Sequence, residues 1–144
     1  GHMTEARYAE VLANATDGFL HHVGLDTAYL EGGHSFYTVE SHVRYLREVR
    51  AGEPLTTTTQ VLGADEKRVH LFHTLAHGSS GELLATFEVL MLHVDTDAGR
   101  ACAMLEPVAS RVAAAAAAHA DLALPEGAGR RVGEPRPSQK HGPD

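Results

Sequence analysis

Three side chains suited to acid–base chemistry, Glu40, His42 and Arg44, occupy alternate positions within residues 36–55. Apolar side chains occupy odd-numbered positions of the same stretch, alternating with the charged ones: Tyr37, Val39, Val43, Tyr45 and Val49. A period of two predicts one long β-strand with an apolar face and a charged face. The charged row is then either a solvated sheet face or one wall of a site, where Glu40 and His42 could orient water or transfer protons.

A long helix is predicted before this strand, over residues 4–23. One apolar stripe recurs at intervals of three and four residues: Tyr8, Val11, Leu12, Ala15, Phe19 and Val23. Thr4 is suited to cap the N-terminus of this helix, and Gly24 is suited to end it. A polar stripe carries Glu10, Asn14 and Asp17. Gly18 inside the helix would allow close approach of another backbone.

Three further strands and a second helix follow the long strand. The strands are predicted at residues 55–62, 68–77 and 82–94, and the last is apolar on both faces, as in a central strand. A helix is predicted from Pro107 to about Leu122. Strands grouped after a helix predict an α+β fold, with the long helix lying across a curved antiparallel sheet. We expect one domain over residues 1–123 and a flexible tail over 124–144.

Composition excludes several classes of function. The chain has 144 residues and a net charge of −7, without the basic patch that nucleic-acid binding requires. Its single cysteine, Cys102, allows no internal disulfide and fits a reducing compartment. No run is apolar enough for a membrane span and no signal peptide is recognisable, so we expect a cytoplasmic protein. Gly1-His2-Met3 looks like the remnant of a purification tag, although the same three residues could also be native.

Eleven histidines raise the question of a metal site. His70 and His73 lie three apart on a predicted strand and therefore face opposite ways. His21 and His22 are adjacent on a helix, which is also a poor geometry for sharing one ion. We expect no bound metal.

Four segments carry a resemblance to a known family: HHVGLD, TVESHVRYLREVRAGEPL, ADEKRVHLFH and LATFEVLMLHVD. The chain resembles hotdog-fold acyl-CoA thioesterases of the 4-hydroxybenzoyl-CoA thioesterase type, and in particular the branch that acts on betainyl-CoA or dehydrocarnitinyl-CoA. The resemblance implies a hotdog fold, hydrolysis of a small acyl-CoA and no cofactor beyond the CoA of the substrate. It also implies a homodimer or homotetramer, which would cover an edge strand.

The resemblance assigns roles to residues outside the long strand. The backbone N–H near Glu5 would polarise the thioester carbonyl. Asp17 would be a carboxylate candidate on the long helix. Lys67 and Arg68, in the turn before the third strand, would meet the CoA phosphates.

A trimethylammonium acyl group would need aromatic or acidic partners. Tyr45 and Tyr37, with Phe36, Phe72 and Glu40, could supply them, although most of these aromatic residues also suit a core.

One departure from the family concerns the nucleophile. In the family an Asp-x-Asn-Gly-His motif precedes the long helix, whereas this sequence opens GHMTEARY without that Asp. The alternatives are therefore a non-catalytic acyl-CoA-binding module, an N-terminally truncated fragment, or an acyl-CoA dehydratase of the same fold.

Overall fold

The computed structural model describes residues 3–133 and places helices on one face of a single antiparallel sheet. Within that range the elements in chain order are α1 (Glu5–His22), α2 (Thr27–Glu31), β1 (His34–Tyr45), β2 (Leu55–Ala64), β3 (Arg68–His77), β4 (Leu83–Asp95), β5 (Arg100–Ala101) and α3 (Val108–His119). The predicted α+β class is confirmed. The strand β5, a two-residue pairing with the end of β4, was not predicted.

Helix α1 begins and ends where the sequence predicts. The Thr4 side chain accepts a hydrogen bond from Arg7 N at 3.2 Å, and Gly24 follows the helix with a φ of 110°. One stripe of the helix is buried: Tyr8, Leu12, Thr16 and Leu20. The expectation for Gly18 is wrong, because a Cβ built there has no atom within 4 Å outside the helix.

The strand order is β1-β4-β3-β2, so β4 is central and β1 and β2 are the outer strands of this path. The prediction of a central strand for residues 82–94 is confirmed. His73 on β3 contacts Thr16 of α1, which identifies the face of the sheet that the helix covers. We call it the helix face and the opposite one the outer face.

The prediction for β1 is wrong in two respects. The strand stops at Tyr45 and does not continue to residue 55. A β-bulge between Thr38 and Glu40 also reverses the alternation, since one extra residue shifts every following side chain to the other face. Tyr37 therefore shares the outer face with Glu40, while Val43 and Tyr45 point to the helix face.

The core lies between the helices and the helix face. One cluster joins the C-terminal half of α1 to α3 and the sheet, through Leu20, Val23, Leu71, Val108 and Val112 among others. A second joins the start of α1 to the opposite end of the sheet: Tyr8, Leu12, Val49, Leu75, Leu84 and Ala85. The start of α1 is thereby fixed beside the end of β1.

The segment after α3 crosses the outer face. Gln60 of β2 donates to Ala123 O at 3.2 Å, and Glu88 of β4 accepts from Gly129 N at 2.8 Å. Phe72 pairs in register with both Gln60 and Glu88 and is only 2% exposed, which we attribute to this cover. Part of the predicted tail, residues 124–133, thus contacts the sheet, and residues 134–144 lie outside the described range.

No helix among the described residues has the length and apolarity needed to cross a membrane.

Candidate functional site

A cleft of about 320 Å³ opens where α1 begins and β1 ends. We call it the helix-start cleft, and its lining residues are Met3, Glu5, Tyr8, Tyr45, Leu46, Arg47 and Glu48. It brings together two residues predicted from the sequence, Glu5 and Tyr45. Met3 is held at its margin by a hydrogen bond from its N–H to Val49 O at 3.0 Å.

Two tyrosine rings form the apolar part of the helix-start cleft. Tyr8 and Tyr45 meet edge to face, with ring centroids 5.4 Å apart and planes at 81°. The Tyr8 hydroxyl donates to Arg47 O at 2.8 Å, which fixes that ring. Burial, and then the nearby Glu48 carboxylate, raise the pKa of Tyr8 above its usual value. Tyr45 remains 47% exposed and can contact a ligand.

The polar part of the cleft is the first turn of α1. The amides of Arg7 and Tyr8 both donate to Thr4 O. The amides of Glu5 and Ala6 have no carbonyl within the helix to bond, because the first amides of a helix lack intrahelical acceptors. They are donors suited to a carbonyl oxygen that gains negative charge.

Three of the described residues that line the helix-start cleft are charged. Glu5 and Glu48 carry carboxylates, and the Arg47 guanidinium is paired with Glu82, with Nε and Oε2 2.9 Å apart. The cleft therefore combines amide donors, an exposed aromatic ring and two carboxylates.

Glu40 and His42 lie elsewhere, in a cavity of about 300 Å³ on the outer face. In this outer-face cavity, His70 Nε2 lies 2.6 Å from Glu88 Oε2. Arg130 also lines the cavity. The two halves of the predicted site are thus on opposite faces of the sheet, because Glu40 and His42 alternate with Tyr45 along β1.

No pattern in the sequence predicts that His70 and Glu88 pair. They are 18 residues apart and meet only because β3 pairs with β4. Glu88 uses its second oxygen to accept from Gly129 N, so this pair also anchors the segment that crosses the outer face.

The two predicted phosphate ligands lie at the turn between β2 and β3. Arg68 makes a bidentate contact with Asp65, whose Oδ2 accepts from Nε at 2.9 Å and from Nη2 at 2.7 Å. Hydrogen bonds from the Arg68 side chain and from backbone N–H groups lower the pKa of Asp65 to about 2. Lys67 contributes its backbone N–H to the same carboxylate at 2.9 Å. Part of the Arg68 charge is therefore already neutralised within the turn.

Two other predicted residues lie outside the helix-start cleft and the outer-face cavity. Asp17 is exposed on α1. Tyr37 is 52% exposed on the outer face of β1. Neither is brought near Glu5 or Tyr45.

Two buried histidines form networks that the sequence did not predict. His73 is enclosed by Thr16 and Thr59, whose hydroxyls lie 2.7 Å and 2.8 Å from its two ring nitrogens. His93 Nδ1 donates to Cys102 O at 2.9 Å, so its Nε2 accepts from the Tyr29 hydroxyl at 2.7 Å.

Across residues 3–133, no group of three or more His, Cys, Asp or Glu side chains is arranged to hold a metal ion.

Comparison with known proteins identifies the family. Residues 1–112 match the thioesterase-like superfamily. The chain belongs to this superfamily. The thioesterase-like chain is 48% identical over 136 residues to an L-carnitine dehydrogenase/betainyl-CoA thioesterase from a Rhizobium species, covering 94% of this chain and 27% of that protein. It thus spans about a quarter of the length of this fused relative.

Two further matches, one to a shorter relative and one to a solved structure, extend over most of the length of both chains compared. The betainyl-CoA thioesterase of Pseudomonas aeruginosa PAO1 is 42% identical, with 94% of this chain and 86% of that protein covered. A Staphylococcus aureus protein solved in complex with CoA superposes with a TM-score of 0.86 at 29% identity, covering 93% of this chain and 85% of that chain. The predicted hotdog fold and the predicted family are confirmed.

Proposed function

We propose that this chain is an acyl-CoA thioesterase that hydrolyses a small acyl-CoA, foremost betainyl-CoA, in the helix-start cleft. The observation that carries the proposal is that α1 begins at Glu5, whose amide has no acceptor within the helix, in a cleft that also offers Tyr45. The relatives named as betainyl-CoA thioesterases support this substrate.

The amides at the start of α1 would act on the thioester carbonyl. Its oxygen gains negative charge when water attacks, and donors aimed at that oxygen lower the barrier. Glu5 and Glu48 are the carboxylates in the cleft that could take the proton from the attacking water. The C–S bond then breaks, the thiolate takes up a proton, and the products are the free acid and CoA. Glu40, His42 and Asp17 take no part in this scheme.

The CoA portion of the substrate would extend over the protein surface. Lys67 and Arg68 remain the candidates for its phosphates, and Lys67 offers the freer cation because Arg68 is engaged by Asp65. We further propose that the protein works in the cytoplasm as a homodimer or homotetramer, joined through the open edge of β1.

The substitution Glu5→Pro tests the role of the helix amide. Proline removes one N–H, yet it is favoured at the first helical position, and Thr4 already has the extended conformation that precedes proline (φ −81°, ψ 162°). Glu5→Ala is the matched control, because it removes the same carboxylate and keeps the amide. Thiol release from betainyl-CoA and a panel of short acyl-CoAs, followed with a thiol reagent, gives kcat.

We expect Glu5→Pro to lower kcat relative to Glu5→Ala by about 100- to 1000-fold, the effect typical of removing one oxyanion donor. Equal kcat values for the two variants would contradict this site. The absence of thiol release from every acyl-CoA in the panel, with the unaltered protein, would contradict the activity itself.

A further inference from the structure

We infer that His77 and Glu53 are positioning residues for the proposed reaction. They hold the connection between β1 and β2, residues 46–54, and through it the start of α1, where the Glu5 amide donates to the thioester carbonyl. This inference rests on the proposed function and adds two side chains that control the geometry of the helix-start cleft from outside it, since neither is among its described lining residues.

The ring of His77, at the end of β3, is held in one orientation and one tautomer. Its Nδ1 accepts hydrogen bonds from the amides of Ser79 and Ser80, at 3.2 Å and 3.4 Å. A ring nitrogen that accepts a hydrogen bond carries no proton, so the proton of the neutral ring is on Nε2. Nε2 therefore donates to Glu53 Oε1, at 2.8 Å.

The Glu53 carboxylate joins this ring to the connection between β1 and β2. Its Oε2 accepts from Arg50 N at 3.1 Å, and Glu53 N donates to Arg50 O at 3.3 Å, which closes the turn at residues 50–53. The hydrogen bond from Arg50 N, and then the one from His77, hold the pKa of Glu53 below its usual value. Glu53 is therefore an ionised acceptor that uses one oxygen for each partner.

The same connection reaches the start of α1 through Val49. This residue directly precedes Arg50 and is 3% exposed in the core, and its carbonyl oxygen accepts from Met3 N at 3.0 Å. Met3 precedes Thr4, the N-cap of α1. A chain of hydrogen bonds thus runs from the end of β3 through Glu53 to the residue before the cap. A shift of the turn at residues 50–53 would move the cap and the amide that follows it.

Such a shift affects the reaction because an oxyanion donor acts only at short range. The donor must lie about 2.7–3.1 Å from the place that the oxyanion occupies. A displacement of about 1 Å can lower the rate about 100-fold. The hydrogen bond from the Tyr8 hydroxyl to Arg47 O is a second tether of the same connection, so loss of the His77–Glu53 contact should displace it by less than that.

The substitution Glu53→Gln breaks the chain of hydrogen bonds with little change of shape. Glutamine has one acceptor oxygen, whereas Arg50 N–H and His77 Nε2–H are both donors, so one of the two hydrogen bonds is lost. The substitution is made in Glu5→Ala, which keeps the amide at position 5, and in Glu5→Pro, which lacks it. Thiol release from betainyl-CoA and the panel of short acyl-CoAs gives kcat and KM for each protein.

We expect Glu53→Gln to lower kcat by about 5- to 20-fold in the Glu5→Ala background and by less than about twofold in Glu5→Pro, where the amide that it positions is already absent. A side chain that only stabilised the fold would lower kcat equally in both backgrounds. KM should change by less than about twofold, because the loss falls on a contact made in the transition state. His77→Phe, which keeps a ring and removes both nitrogens, should give the same pattern.

Gly24→Ala is the control for stability, because Gly24 lies at the opposite end of α1 with a φ of 110°. Well below its unfolding temperature it should leave kcat unchanged. Equal losses from Glu53→Gln in the two backgrounds, or no loss in either, would overturn the inference and leave the hydrolase activity standing. Absence of thiol release from every acyl-CoA with the unaltered protein would overturn the proposed function and the inference with it.

Discussion

At the scale of single residues, His73 shows how burial sets the charge of a side chain. It is 0% exposed, and burial lowers its pKa from 6.5 to about 4. The hydroxyls of Thr16 and Thr59 can each donate or accept, so they satisfy the neutral ring in either tautomer. The fold therefore holds a neutral imidazole that pins α1 to β3 and β2.

This burial predicts that stability falls in mild acid. Because the folded pKa lies below the unfolded one, protons bind the unfolded chain preferentially, and the contribution of His73 is complete above pH 6.5 and is lost as the pH falls toward 4. A shift of this size corresponds to at most about 3 kcal/mol. Urea unfolding at several pH values between 7.5 and 4 measures it.

The variant His73→Gln supplies the comparison for that measurement. It should be less stable at neutral pH and should show a shallower loss of stability between pH 6.5 and 4. Some slope should remain, because burial also lowers the pKa of His93. Identical slopes in the two proteins would show that His73 is not the group responsible.

At the scale of elements, the end of α1 depends on a backbone that only glycine adopts easily. Gly24 has a φ of 110°, and a Cβ there would lie 3.2 Å from Pro107 and 3.3 Å from Arg111 at the start of α3. Gly18 lies within α1. Its backbone is helical, and a Cβ at this position would have no neighbouring atom within 4 Å. Substitution of these two glycines by alanine should therefore change the stability of the protein in opposite directions.

We expect Gly24→Ala to destabilise the protein by about 1–3 kcal/mol, through strain at positive φ and displacement of α3. Gly18→Ala should stabilise it by about 0.5–1 kcal/mol, because alanine loses less backbone entropy on folding. Chemical denaturation of both variants at pH 7.5 provides the measurement. A stabilising effect of Gly24→Ala would contradict the packing of α1 against α3.

The elements also show which features a sequence pattern can predict. Helix α1 and strand β3 were predicted within a residue of their ends, because a cap, a stop and a regular alternation are local signals. The bulge in β1 has no such signal, and it places Tyr37, predicted on the face of Tyr45, on the face of Glu40 and His42. The helix-start cleft was predicted only in part, since Tyr8 and Glu48 join it through contacts between distant segments.

At the scale of the whole molecule, β1 leaves one edge of the sheet unpaired within residues 3–133. Its neighbour is β4 on one side only, and Tyr37 and Val39 are each 52% exposed along it. A long edge strand with exposed apolar side chains is a template for pairing with another chain. Covering it with the β1 of a second copy would continue the sheet and place the helix-start clefts of the two copies near the shared edge.

The variant Val39→Asp tests this association. An Asp at the centre of a symmetric edge pairing brings two like charges together and buries them, so the dimer should dissociate at concentrations where the unaltered protein remains associated. Stability of the single chain should change little, because Val39 is exposed within it.

Leu124→Asp is the matched control, since Leu124 is 69% exposed but lies away from β1 in sequence and on the segment after α3. Sedimentation velocity over a concentration series distinguishes the cases, and a dimer that survives Val39→Asp but not Leu124→Asp would move the interface to the outer face.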